Sequence, residues 1–236
     1  MTGDGPRRPL RVGIVDHGAG NLVSLAQGLV AAGARPRLIH RPEELHGIDA
    51  LVLPGVGAAG TAMRRLQRRR LTDALAAWRQ AGRPLLGICL GLQLFMTRSE
   101  EDETETLGLV AGRTVRLTAP RLPHIGWNRL RFAGPPHRLF AGLSDGSHAY
   151  FVHSYVVQPA PGAATILAET TYGRPFPSAI AAGSLLGVQF HPERSGPLGI
   201  RVLANFVAWA GQGDNDAPSG RSETAVTAAA LRGGRP

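Results

Sequence analysis

Three short apolar runs, each closed by a glycine-rich turn, dominate the first ninety or so residues: LRVGIVD then HGAGN (10–21), LVL then PGVG (51–57), and LLGI then CLG (85–91). Each run has the length of a buried strand. The first and third lead into segments with helical spacing, Leu22 to Ala32 and Leu90 to Met96. A further strand is expected near Arg37–His40. Strand, turn and helix in repeated succession imply parallel strands, because a parallel pair needs a long crossover between its members. The expected fold class is therefore α/β, an open, mostly parallel sheet with helices on both faces. In such sheets function collects at the carboxyl ends of the strands, and all three glycine-rich turns fall there.

After about residue 105 the texture changes to short alternating runs: RTVRL (113–117), YFVHSYVV (150–157), ATILAET (164–170), PSAIAAG (177–183) and LLGVQF (185–190). These predict a smaller antiparallel section, closed by a helix over Leu198–Trp209. One domain is expected over 10–210. Residues 1–9 form a loose leader, and 211–236 a small, polar, disordered tail.

The formal charge of +9 raises nucleic-acid binding as a possibility, but all 26 basic residues are arginine and none is lysine. That is a composition bias rather than a binding surface. The densest run, Met63 to Trp78, spaces its apolar residues as one amphipathic helix, so its arginines belong to a solvated face. No nucleic-acid partner is expected. No stretch is long and apolar enough for a membrane span, and one cysteine allows no internal disulfide. A cytoplasmic protein without metal or cofactor is the expectation.

That single cysteine, Cys89, lies between Gly87 and Gly91. A lone buried cysteine often serves only as a small apolar residue. Here the G-x-C-x-G pattern joins a strand to a helix, which is the cysteine form of a nucleophile elbow. The turn is too sharp for a Cβ at either glycine, and the helix N-terminus favours a thiolate. A nucleophilic thiol needs a base, and the base needs an orienting group. His191 stands at the end of the LLGVQF run, with Glu193 two residues on; in extended backbone both point to one side. His17, His40, His46, His124, His137 and His148 lie in turns or polar contexts and read as surface or structural residues. An oxyanion hole would draw one donor from the Leu90 N–H and a second from the PGVG turn, at Val56 or Gly57.

Taken together, GICLGLQ, GVQFHPERS and LPGVG resemble the class I, triad-type glutamine amidotransferases. VDHGAGN, PHIGWN (123–128), YFVHSY (150–155), PFPSAI and the acidic SEEDETETLGLV narrow the resemblance to the group that supplies ammonia to imidazole glycerol phosphate synthase. The resemblance implies that Cys89 attacks the side-chain amide of glutamine, with His191 as base and Glu193 orienting it. It also implies substrate contacts at Gln93, His153, Ser154 and Tyr155. The partner would be a (β/α)8-barrel cyclase subunit, joined as a heterodimer through Asn21, Trp127 and Arg194. The chain departs from the group at His17, where tyrosine is usual, at Ile125 for methionine, and at Arg194 for lysine. Three alternatives stay open on residues alone: a glutaminase for another synthase, a regulatory module without activity, and a cysteine hydrolase of unrelated substrates.

Overall fold

The structure, a computed structural model, describes residues 8–135 and 137–212. Most of the expected leader and tail lies outside the described residues. At the leader's end, Arg8 donates to both carboxylate oxygens of Asp49, at 2.8 and 2.9 Å.

The first half alternates as β1 (Arg11–Val15), α1 (Leu22–Ala31), β2 (Arg35–Ile39), β3 (Ala50–Leu53), α2 (Ala59–Arg68), α3 (Leu71–Gln80), β4 (Leu85–Ile88) and a one-turn α4 (Leu90–Gln93). Then follow β5 (Arg98–Ser99), β6 (Thr104–Glu105), β7 (Gly112–Arg116), β8 (His124–Arg129), β9 (Arg131–Phe132), β10 (His148–His153) and β11 (Tyr155–Pro159). The last elements are β12 (Thr165–Tyr172), β13 (Arg174–Ala182), β14 (Leu185–Val188) and α5 (Gly196–Ala210).

The main sheet has the order β2-β1-β3-β4-β14-β13-β12-β9. Its neighbours run parallel from β2 through β14 and antiparallel from there to β9. The antiparallel strands β13, β12 and β9 thus extend the main sheet. Two smaller assemblies, β10-β8 and β11-β7-β5-β6, stand beside it. The sequence reads 150–157 as one strand; the structure divides it at Ser154, so that β10 pairs with β8 and β11 with β7.

Alternation along the central strands builds a core on each face. Val12, Ile14, Val52, Leu86, Ile88 and Val188 pack with Leu25 and Leu29 of α1 and Val202, Leu203 and Phe206 of α5. Val15, Leu51, Leu53 and Leu85 face the other way, onto Met63 and Leu66 of α2 and Leu71, Leu75 and Trp78 of α3. The helix expected over 63–78 is two helices, broken at Arg70 with φ 56°. From Leu66 to Leu71 is five residues, a rotation of about 140° on one continuous helix, and the break returns Leu71 to the core face. The arginines are not all solvated either. Arg65 donates to the Gly18 carbonyl at 2.9 Å, and Arg69 to the Asp16 carbonyl, which ties α2 to the turn after β1.

Because β1, β3, β4 and β14 are parallel neighbours, their carboxyl ends share one edge of the sheet. The HGAGN turn, PGVG, Cys89 and the segment through His191 meet there.

Candidate active site

Cys89 adopts φ 53° and ψ −109°, a conformation rare for a non-glycine residue. Steric demands on both sides produce it. A Cβ on Gly91 would lie 1.7 Å from the Leu53 carbonyl oxygen, and one on Gly87 2.7 Å from the Phe95 ring. Strand β3 and the turn of α4 therefore approach closer than any side chain permits. Gly91→Ala is expected to destabilise the fold by about 3 kcal/mol or more, whereas glycine to alanine inside a helix ordinarily stabilises by about 1 kcal/mol. Urea denaturation of the variant gives the sign, and a gain in stability would contradict the close approach.

The Cys89 N–H donates to the Val188 carbonyl at 2.8 Å, which sets Cys89 level with Gln189 on the neighbouring strand end. Beyond it the chain turns, and His191 and Glu193 come together with Nδ1 to Oε1 at 2.8 Å. Both side chains are buried. The expected pair meets by a different geometry from the one anticipated: β14 stops at Val188, and Pro192–Arg194 form a 3-10 turn rather than extended backbone. Ser195 fixes the turn. Its hydroxyl donates to the His191 carbonyl at 2.7 Å and accepts the Tyr150 N–H at 2.9 Å.

Since Nδ1–H of His191 is directed at Glu193, Nε2 remains for another group, and it has no hydrogen-bond partner among the described residues. Burial alone would lower the His191 pKa. The Cys89 sulfur and the Glu193 carboxylate outweigh burial and raise it to about 10. His191 is thus built to carry a proton between the Cys89 sulfur and the Glu193 carboxylate.

PGVG lies against this elbow. A Cβ on Gly55 would stand 3.1 Å from the Leu90 Cβ and 2.9 Å from His17 Nε2. The fully buried His17 donates from Nε2 to the Pro54 carbonyl at 3.0 Å, an anchor for the turn. Val56 is exposed, and Gly57 has φ 91°, a left-handed conformation suited to glycine. Leu90 opens α4, so its N–H has no partner within the helix.

The expected substrate residues are placed unevenly. Gln93 is buried, and its Nε2 donates to the Tyr155 carbonyl at 2.8 Å and to Gln189 Oε1 at 3.2 Å. Only its Oε1 is left for a ligand. His153 hydrogen-bonds the Tyr155 carbonyl through Nδ1 at 3.0 Å and His124 Nδ1 through Nε2 at 3.1 Å. Burial and His124 hold its pKa down to about 3. The Ser154 carbonyl accepts the Leu117 N–H at 2.8 Å.

Among the expected interface residues, Asn21 caps α1, with Oδ1 accepting the Ser24 N–H at 3.2 Å. Trp127 lies on β8 opposite Tyr150, exposed, with the two rings edge-on at 6.1 Å. The Arg194 guanidinium lies 4.2 Å from the other ring, Tyr150. Ile125 is exposed on the same face of β8. Sequence reasoning passed over Gln189, Ser195 and the buried roles of His17 and His124. A polar residue inside the apolar LLGVQF run was the visible sign of the first.

Residues 13–209 match the family Glutamine amidotransferase class-I. An imidazole glycerol phosphate synthase subunit HisH from Symbiobacterium thermophilum is 48% identical over 198 residues, covering 83% of this chain and 92% of that protein. The HisH of Methanosarcina acetivorans is 44% identical, covering 84% and 98%. Among solved structures, one titled as a glutamine amidotransferase aligns with TM-score 0.69 at 21% identity, over 85% of this chain and 98% of that one. The structure of PurLQS from Thermotoga maritima aligns with TM-score 0.68 at 16% identity, over 85% and 99%. These two share the fold.

Proposed function

As this chain belongs to the class I glutamine amidotransferases, we propose that it is the glutaminase subunit of an imidazole glycerol phosphate synthase, with Cys89, His191 and Glu193 as its catalytic residues. The observation that carries the reading is the meeting of a left-handed Cys89 at the end of β4 with a carboxylate-paired His191 just beyond β14.

In this reading the Cys89 thiolate attacks the side-chain amide carbon of glutamine. The carbonyl oxygen becomes an oxyanion held by the N–H groups of Leu90 and Val56, with Gly57 allowing the turn to adopt the required geometry. His191 gives its proton to the departing nitrogen, and ammonia leaves. Water, deprotonated by His191, then cleaves the thioester to glutamate and restores the thiol. Glu193 orients the ring and stabilises its charge. Gln93 Oε1, an acceptor without a protein donor among the described residues, suits the α-ammonium of glutamine. The strand around His153, Ser154 and Tyr155 lines the site.

The ammonia passes to a (β/α)8-barrel cyclase subunit in a heterodimer. Asn21, Trp127 and Arg194 belong to the docking face, with Ile125 beside them. No described helix is long and apolar enough to cross a membrane, and the reading places the chain in the cytoplasm. One domain spans 10–210.

Docking also controls the oxyanion hole. In the free chain the Val56 N–H points away from the substrate oxygen, and the barrel with its nucleotide bound favours the turned peptide. One missing oxyanion donor is worth about 10²–10³ in kcat. Glutamate release is therefore measured for this chain by itself, with the barrel, and with barrel plus nucleotide. A rise of about that size across the series is expected, and equal activity in all three would overturn the gating.

A further inference from the structure

We infer that Gln189 is a further catalytic residue of this site: its side-chain amide donates to the Cys89 sulfur and stabilises the thiolate. The inference rests on the reading of Cys89 as nucleophile. Gln189 is fully buried, and its Nε2 stands 3.6 Å from Cys89 Sγ. On its own that contact leaves the amide orientation open, since either end of the group could face the sulfur.

The surroundings decide the orientation. A backbone carbonyl only accepts, so the Tyr155 carbonyl draws the amide nitrogen of Gln93 toward it, at 2.8 Å. The same Nε2 donates to Gln189 at 3.2 Å, which requires the Gln189 oxygen at that contact. The Gln189 nitrogen is then the end directed at the sulfur. The Tyr155 carbonyl is fixed in turn by the His153 Nδ1–H at 3.0 Å. That proton position makes His153 Nε2 an acceptor, filled by the His124 Nδ1–H at 3.1 Å. His124 Nε2 accepts from the Asn128 amide at 3.2 Å. Each donor is settled by the acceptor before it, in a run from Asn128 to the nucleophile. Burial lowers the His124 pKa to about 4 and contributes most to holding His153 near 3, so both rings stay neutral and the pattern is uninterrupted at neutral pH.

The sulfur is bracketed. Toward β10 it faces the Val152 carbonyl at 3.8 Å, which accepts the S–H of the thiol. Toward Gln189 it faces a donor, which favours the thiolate through a charge-assisted bond. The titratable groups near it are His191, backed by Glu193, and His153 on β10. His191 gives up its proton during the reaction, whereas the Gln189 amide does not ionise and keeps its N–H contact through both half-reactions.

The test uses the full chain and its single cysteine. Thiolate has an ultraviolet absorbance that the thiol lacks, so subtracting the Cys89→Ser titration isolates the Cys89 signal. Gln189→Met is close in size and has no donor; Gln189→Glu keeps the shape and adds a repelling charge. The pH at half-maximal thiolate signal is expected to rise by about one unit in Gln189→Met, equivalent to about a tenfold loss of thiolate below the midpoint, and further in Gln189→Glu. In the complex, kcat for glutamine falls about 10- to 100-fold with KM nearly unchanged. If Gln189→Met fails to fold, Gln93→Met removes the group that fixes the amide and is expected to shift the midpoint the same way by a smaller amount. An unmoved midpoint in every folded variant would overturn the inference. Retained glutaminase activity in Cys89→Ser would instead overturn the assignment of the nucleophile.

Discussion

Cys89→Ala abolishes glutamine-dependent activity, a loss of at least about 10⁴-fold, while ammonia-dependent synthesis by the complex stays at the wild-type level. The size follows from triads in general, where removing the nucleophile leaves only binding and the oxyanion hole. The asymmetry follows from the proposed division of labour, in which the thioester forms on this chain and the acceptor chemistry belongs to the partner. Structurally the change is mild. Cys89 has left-handed backbone angles that alanine adopts with the same strain, and the sulfur is at the end of the core rather than in its centre. Glutamate release and ammonia-supported product formation, measured on the same preparation, separate a lost nucleophile from a lost interface. Glutamate formed at a near wild-type rate would contradict the assignment, and loss of both activities would point to docking instead.

The second large effect separates two buried histidines. His191→Asn is expected to lower kcat for glutamine by about 10⁴-fold or more, in line with bases that act as a unit with their nucleophile. His153→Ala is expected to raise KM more than it lowers kcat. The structure supplies the reason. His191 has a carboxylate on one nitrogen and no partner among the described residues on the other, and Cys89 and Glu193 raise its pKa to about 10 against the effect of burial, so that it holds a proton to give. His153 has both nitrogens engaged, no carboxylate, and a pKa lowered to about 3 chiefly by burial. A ring already accepting from His124 has no lone pair for a thiol proton. Steady-state kinetics on both variants decide, and the reverse pattern in kcat would exchange the two roles.

What could be read from residues was what local sterics and periodicity impose. Gly87 and Gly91 announced the elbow because a Cβ at Gly91 would meet the Leu53 carbonyl of β3 and one at Gly87 would meet Phe95 and Leu92, and the apolar runs announced the parallel strands because both of their faces are buried. The pairing of His191 with Glu193 was legible in spacing, although the backbone that achieves it is a 3-10 turn. The break at Arg70 was present as the five-residue step from Leu66 to Leu71, masked by a helical-looking run of arginines. What stayed hidden depends on contacts far apart in sequence. Nothing local says that His17 anchors Pro54, that Ser195 pins Tyr150 and His191, or that Gln93 engages Gln189 nearly a hundred residues away. Such polar networks are settled by register between strands, and β8, β10 and β11 take theirs from pairings that the alternating pattern alone leaves open.

The most direct measurement of the central claim is covalent labelling of the complex with an electrophilic analogue of glutamine, followed by peptide mass analysis and residual glutaminase activity. One label per chain is expected, carried by the peptide containing Cys89, with glutamine slowing its attachment and activity falling in proportion to it. Loss of activity with the label elsewhere, or full labelling of Cys89 with glutaminase activity intact, would contradict a Cys89 thioester as the route from glutamine to ammonia.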